Sequence, residues 1–494
     1  ALGYAKRTNL PTALICTSGS ALTHWFPAVT EASYSGIPLL LLSADRPPEL
    51  QECGAGQTIN QINLFGSFVR GFYQSPLPCL EKEYIHNLQT ILQTAYSKTL
   101  GPNSGPVHIN FSFREPLWPA VGQAPSLPRF TSLPQKFPAQ PTNHPALTDN
   151  LNLFSKTSRP VVIAGLDAPS SFPDEFHNVP ILCDSLSAMR EYKLPARILR
   201  FENMLRCPRF RDSVRPDLFI ILGPLPTSKT LRSWIETSGA ARLVIEPSGR
   251  KVDPLKGDSH FIAVSFDHLH HLNLPTPEQG WLEKWSKAEQ LIEEKLNHEF
   301  QKISCHHEPK ITRLLSEHLP RHSNFYCANS MPIRDSEWFW KPSDQGRKLF
   351  GARGVNGIDG TLGTALGIAH QSDQPTFLLT GELAFLHDSN ALLFSPELVG
   401  SLTVLLINNR GGGIFENLPV ANLPEFEKCF ATPQSCDFAK LCGAHSVEYF
   451  LNEGEKELIS HLKNPPKSGI RVIEIRTDRK ADKVVRQRLL SLAP

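Results

Sequence analysis

No run in this sequence reaches the ~18 apolar residues that a membrane-spanning helix needs. The longest, such as residues 37–44 (IPLLLLSA), are strand-sized. An excess of one charge is missing too: 50 Lys and Arg stand against 48 Asp and Glu, for a formal net charge of +2. With no long basic run, a nucleic-acid footprint is not expected. The ten cysteines are scattered singly, without a CxxC pair. Zinc sites use paired spacings, so free thiols in a reducing compartment are expected instead. The one tight cluster, Cys305-His306-His307, opens a helical segment and reads as surface. The chain also lacks an initiator Met and anything like a signal peptide. It opens on ALGYAKRTNLP, which reads as the second half of a helix, so a chain that has lost its beginning is expected.

What is present is strand–helix alternation on a scale too large for one core. In residues 1–125, TALICTSGSA is a strand ending in a polar glycine turn. LTHWFPAVTEASYSG has helical spacing, IPLLLLSA is a strand running into DRPPEL, and a helix over about 83–100 leads to the strand PVHINFSF. The Pro-rich stretch around 126–150 reads as a linker. A second unit, 151–300, repeats the alternation through RPVVIAGL, VPILCDSL, PDLFIILGPL and ARLVIEPSG. It has no GxGxxG fingerprint and reads as a structural spacer, with Gly249-Arg250-Lys251 a solvated turn. Residues 278–303 form a charged amphipathic helix, taken as a connector. The third unit, 301–494, is another parallel sheet with helices between its strands. The fold class is therefore α/β, with three consecutive open parallel-sheet domains.

The chemistry concentrates between Gly381 and Gly413. Glu382 follows one apolar strand, and Asn409, 27 positions later, follows another. Open α/β sheets bind ligands at the carboxyl ends of their strands. A carboxylate, an amide oxygen and the glycines of NNRGGGIF at one such edge suit a divalent cation and a diphosphate. Mg²⁺ takes a few hard oxygen ligands and leaves other positions to phosphate, and glycines let backbone approach the phosphate closely.

This pattern resembles the thiamine-diphosphate motif of the pyruvate-decarboxylase-like superfamily. CTSGSA, SADRPPEL with GAGQTINQ, NSMPIRD, RGVNGIDG and NNRGGGIFENLP together resemble the 2-succinyl-5-enolpyruvyl-6-hydroxy-3-cyclohexene-1-carboxylate synthase family of menaquinone and phylloquinone biosynthesis. The resemblance covers both outer units in order; the middle one agrees mainly in size and position. It implies thiamine diphosphate with Mg²⁺ or Mn²⁺, decarboxylation of 2-oxoglutarate, and addition of the succinyl carbanion to isochorismate. It implies metal ligation by Glu382, Asn409 and the Gly411 carbonyl, with Gly381, Leu383 and Gly412 against the cofactor. Ile358 would prop the cofactor in its bent form. Arg334 and Arg353, with Ser330 beside them, would hold substrate carboxylates through the guanidinium fork. Arg46 and Gln57 would face isochorismate, and Ile414, Phe415 and Leu418 would wall its ring. Sites of the family form between subunits, which implies a homodimer or homotetramer. Location stays open between bacterial cytoplasm and a plastid or other organelle.

The chain departs from the family twice. Most members have Asp where this chain has Glu382, one methylene longer in a site that Mg²⁺ holds to about 2.0–2.1 Å. The glutamate that drives tautomerisation of the cofactor's aminopyrimidine would lie roughly two helical turns before Ala1. Two alternatives remain open on the sequence: another thiamine-diphosphate oxoacid decarboxylase or carboligase, and a degenerate, non-catalytic homologue.

Overall fold

The computed structural model of the chain describes residues 1–79, 81–117, 154, 156–166, 168–251, 253–271 and 274–494. The expected linker at 126–150 lies outside these. The described residues hold three all-parallel sheets. They divide into two compact units, one built on the first sheet together with Ala352–Gly360, the other on the second and third sheets.

The first sheet has the order β1-β2-β4-β3, with β1 Thr12–Cys16, β2 Leu39–Asp45, β3 Phe72–Ser75 and β4 Pro106–Ser112. Side chains alternate across a strand, and β2 shows the consequence. Leu39 and Leu41 enter a core with Ala5, Leu22, Val29 and Phe65, while Leu40 and Leu42 pack on the opposite side with Val107 and Ile109. The helix expected over 22–36 is split into Ser20–Thr23 and Phe26–Ser35. Pro27 stands in the first turn of the second piece, where its missing N–H costs nothing.

At the carboxyl half of this sheet the strands carry buried polar groups. Ser43 Oγ donates to Asn110 Oδ1 at 2.6 Å and lies 2.7 Å from His108 Nε2. Since the Ser43 hydrogen is committed to Asn110, the ring is assigned as the neutral Nε2–H tautomer. Its Nδ1 is buried without a partner, among Phe65 and Phe72. Burial pushes the His108 imidazole down to about 4. The unfolded chain takes this proton near pH 6.5 and the folded sheet does not, so stability is present above about 6.5 and is lost as pH falls toward 4. The loss is about 3 kcal/mol by pH 4. Hydrogen exchange at the β4 amides, corrected for intrinsic rate, is expected to speed up about 100-fold between pH 6.5 and 4, and a His108→Gln variant should not show that slope.

The second sheet runs β10-β9-β8-β5-β6-β7, with β5 Pro160–Ala164, β6 Ile181–Cys183, β7 Arg197–Ile198, β8 Leu218–Leu222, β9 Ala241–Ile245 and β10 Ser259–Ile262. Both faces are covered, as near-continuous apolar strands require. Val161, Ile163, Phe219 and Ile221 enter one core, and Val162, Ala164, Ile220 and Leu222 the other. The amphipathic helix is Trp281–Phe300, and it is more than a connector. Trp281, Trp285, Ala288, Ile292, Leu296 and Phe300, spaced three and four apart, are all buried in the first of these cores. Arg250 turns back onto Glu246 and Ser248, so the Gly249-Arg250-Lys251 turn is tied locally.

The third sheet runs β12-β11-β13-β14-β16-β15, with β11 Asn324–Cys327, β12 Lys348–Phe350, β13 Thr376–Gly381, β14 Ser401–Asn408, β15 Glu448–Leu451 and β16 Gly469–Arg476. Phe325, Cys327, Phe377, Leu379, Leu405, Ile407, Ile473 and Ile475 bring one face into a single core. Cys305 is buried, a correction to the surface reading of its cluster: it joins this core just before the helix Glu308–His318, and His307 meets Asp482 at 2.7 Å. None of the ten cysteines forms a disulfide.

Candidate functional site

β13 and β14 lie side by side in register, Gly381 opposite Ile407, so the residues that follow each strand emerge at the same edge. Glu382 begins the helix Glu382–His387 with its carboxyl group buried, and its Oε1 accepts the N–H of Gly411. Burial pushes this carboxyl up to about 7; the nearby Glu308 charge adds to the rise, and the Gly411 and Asn409 backbone N–H groups oppose it. A divalent ion bound beside such a carboxyl would invert that balance and favour the ionised form.

Asn409 supplies the complementary observation. Its Nδ2 donates to Glu308 Oε1 at 2.6 Å, while its Oδ1 is buried and has no partner. An orphaned buried acceptor costs about 1–3 kcal/mol unless something fills it. An amide oxygen and a carboxylate at one edge are the hard donors that Mg²⁺ takes. The Gly411 carbonyl accepts Gly413 N–H at 2.9 Å and keeps a second lone pair. The residues present therefore fit a divalent cation.

Only glycine can build the turn that follows. Gly411 has φ +137, and a Cβ there would stand 2.4 Å from the Ala431 carbonyl oxygen. A Cβ on Gly412 would meet the Phe415 ring at 2.7 Å and the Phe430 carbonyl oxygen at 2.9 Å. Gly412 N–H donates to Ala431 O at 2.8 Å, which pins the turn against the segment 427–431. Beyond it, Ile414 and Phe415 are half-buried on the 3₁₀ turn Gly413–Asn417, Phe415 packs edge-on to Phe430, and Leu418 is 38% exposed. Gly381 and Leu383, flanking Glu382, are likewise half-buried.

In the same unit, Ser330 has φ +73, a strained conformation for a non-glycine residue and one that recurs at functional sites. Its carbonyl accepts Arg334 Nη1 at 2.6 Å, so the two residues expected together are together. The helix that follows Ser330, Met331–Phe339, ends in carbonyls held by two arginines of the central domain. The buried Arg190 donates to Ser336 O and Glu337 O at 3.0 and 2.9 Å, and the buried Arg200 to Trp338 O and Trp340 O, both at 2.6 Å. Cations at a helix C-terminus satisfy its orphan carbonyls. The central domain thus anchors the Arg334 helix, a role the spacer reading missed.

The other expected residues belong to the first unit. Arg46 follows β2 and is half-buried; among the described residues its guanidinium has no ion pair. Gln57, at φ +57, is exposed, and its Nε2 donates to Thr17 Oγ1 and Ser18 O at 3.0 and 3.1 Å. That bond leaves Gln57 its Oε1 for a ligand and ties its loop to the CTSGSA turn. Arg353 and Ile358 are half-buried in Ala352–Gly360, which is held by Glu31: this buried carboxylate accepts Gly354 and Val355 N–H at 3.0 and 2.8 Å. The sequence reading missed Gln61, whose side chain joins Gly19 N–H, Ala44 O and Asn110 Oδ1 at the carboxyl edge of the first sheet. The polar Asn110 inside the apolar PVHINFSF was the available signal.

Comparison with known proteins accords with this geometry. Residues 1–64 match the family described as thiamine pyrophosphate enzyme, N-terminal TPP binding domain. The 2-succinyl-5-enolpyruvyl-6-hydroxy-3-cyclohexene-1-carboxylate synthase of Trichodesmium erythraeum is 40% identical over 98% of this chain and 87% of its own length. That of Synechococcus elongatus is 40% identical over 99% of this chain and 86% of its own. The crystal structure of benzoylformate decarboxylase from Polynucleobacter necessarius superposes with a TM-score of 0.66 over 97% of this chain and 89% of that one; at 13% identity the likeness is one of fold. Identity at this level along nearly the whole chain places it in the family of 2-succinyl-5-enolpyruvyl-6-hydroxy-3-cyclohexene-1-carboxylate synthases, thiamine-diphosphate-dependent enzymes.

Proposed function

We propose that this chain decarboxylates 2-oxoglutarate and joins the remaining four-carbon unit to isochorismate, using thiamine diphosphate and Mg²⁺ or Mn²⁺. The observation that carries this reading is the buried, unpartnered Asn409 Oδ1 beside the buried Glu382 carboxyl and the glycine turn. Glu382, Asn409 and the Gly411 carbonyl would hold the metal, and the backbone around Gly411 and Gly412 would lie against the diphosphate. When bound, the cofactor supplies the electron sink for decarboxylation and carbon–carbon bond formation. The chain supplies charge and position. Arg334 and Arg353 bind substrate carboxylates, with Ser330 fixing Arg334 at the start of its helix. Arg46 and Gln57 address isochorismate, Ile414, Phe415 and Leu418 wall its ring, and Ile358 props the cofactor. Neither alternative finds support: relatives similar along nearly the whole chain are named as this synthase, and small oxoacids do not need so many cationic anchors. We extend the proposal to a homodimer or homotetramer working in the cytoplasm or a plastid.

The test is isochorismate consumption by the full-length coding product, with thiamine diphosphate and Mg²⁺. Consumption that requires 2-oxoglutarate and both cofactors is expected; consumption equally fast with pyruvate would overturn the substrate assignment. Arg334→Ala should raise KM for 2-oxoglutarate or isochorismate about 10–100-fold, the worth of a lost charge-assisted pair. Its affinity for the cofactor should not change. Steady-state kinetics paired with cofactor titration decides this, and an unchanged KM for both substrates would remove Arg334 from the site.

A further inference from the structure

The amide of Asn409, whose oxygen is buried and unpartnered, is held by a residue outside the expected site. Glu308, the first residue of the helix Glu308–His318, is buried, and its carboxylate is shared among three donors. Oε1 accepts Asn409 Nδ2 at 2.6 Å, with Thr477 Oγ1 at 3.4 Å; Oε2 accepts Arg486 Nη2. Arg486 is itself fixed by Asp335, Nε to Oδ1 and Nη2 to Oδ2, each at 2.7 Å. Asp335 sits on the Arg334 helix, and Glu308, Asn409, Arg486 and Asp335 are all buried.

We propose that Glu308 is a positioning residue for the metal: by accepting from Asn409 Nδ2 it fixes the amide so that Oδ1, not the NH₂ group, faces the cation. The inference rests on the reading of Asn409 as a ligand. An amide has a donor end and an acceptor end of nearly equal size, so position alone does not choose between them. A neighbour that can only accept resolves the choice, and a carboxylate is that group. Glutamine in place of Glu308 fails for a definite reason. Arg486 has no acceptor and keeps its proton, so the glutamine would turn its carbonyl oxygen toward Arg486 and its NH₂ toward Asn409. Asn409 would then rotate to offer Oδ1 to that NH₂, presenting its own NH₂ to the metal.

Glu308→Gln preserves shape and is expected to weaken Mg²⁺-dependent thiamine diphosphate binding about 10–100-fold, as loss of a ligand's outer hydrogen bond does. Calorimetric titration of thiamine diphosphate at fixed Mg²⁺ reads this without turnover. The double variant Glu308→Gln, Asn409→Asp should recover to within a few-fold of the parent. The introduced aspartate would accept from the glutamine with one oxygen and offer the other to the metal, a rescue that a merely structural Glu308 would not produce. Binding unchanged in Glu308→Gln, or a double variant no better than that single one, would overturn the proposal. Loss of binding in Asn409→Ala alongside normal binding in Glu308→Gln would refute the positioning role and keep the ligand; normal binding in Asn409→Ala would refute the ligand reading itself. Should Glu308→Gln not fold, the unmodified protein decides. The Asn409 side-chain NH₂ resonances, assigned by their loss in Asn409→Asp, should stay protected from exchange when Mg²⁺ and thiamine diphosphate are added, and loss of protection would overturn the assignment.

Discussion

Asn409→Ala is expected to weaken Mg²⁺-dependent binding of thiamine diphosphate by about 100-fold or more, or about 3 kcal/mol. Two losses add. On the proposed reading the cation would lose one of the few oxygen ligands the protein gives it, and Glu308 loses a hydrogen-bond partner in a buried setting. The substrates' KM values, measured at saturating cofactor, should move far less, because the carboxylates are assigned to arginines. An effect confined to substrate KM, with cofactor affinity intact, would contradict the placement of the metal at Asn409.

Gly411→Ala carries the second large effect, and it comes from sterics. The new Cβ would lie 2.4 Å from the Ala431 carbonyl oxygen, at a φ of +137 that L side chains rarely adopt. Because the obstructing atom is backbone, the turn itself has to move. Moving it breaks the Gly411 N–H contact to Glu382 and the 2.8 Å bond from Gly412 N–H to Ala431 O. The strain is worth about 1–3 kcal/mol. Displacement of the Gly411 carbonyl from the cation should add to it, for a loss in cofactor affinity of about 100-fold. Gly443→Ala, at a glycine whose added Cβ meets nothing within 4 Å, is the matched control and should bind normally. Equal behaviour of the two variants in the same titration would show that the turn tolerates a side chain.

The parts of this architecture that were legible in the sequence are those with a simple periodicity. β2, β5, β8, β13 and β14 are apolar runs ending in polar or glycine turns, and each stands where such a run stands. The strands not foreseen, β3, β7, β12 and β15, are two to four residues long and lie at sheet edges. An edge strand buries little, so it leaves no apolar run to read. The site divides the same way. Glu382, Asn409 and the glycines were visible because strand ends and turns constrain residue type. Glu308, Arg486, Asp335, Arg190 and Arg200 were not, because they act across 101 to 151 positions of sequence through partners that only folding brings together. A charged residue in a helix reads as surface until its partners are known. The same limit applied to Trp281–Phe300: its amphipathic pattern was visible, but not that its apolar stripe is buried in a core of the second sheet.

The most direct test of the account is a crystal structure of the protein grown with thiamine diphosphate and Mn²⁺, with the ion located by anomalous scattering. The account predicts one peak at coordination distance, about 2.0–2.3 Å, from Glu382, Asn409 Oδ1 and the Gly411 carbonyl. A peak elsewhere, or Asn409 Oδ1 turned away from the ion, would contradict it.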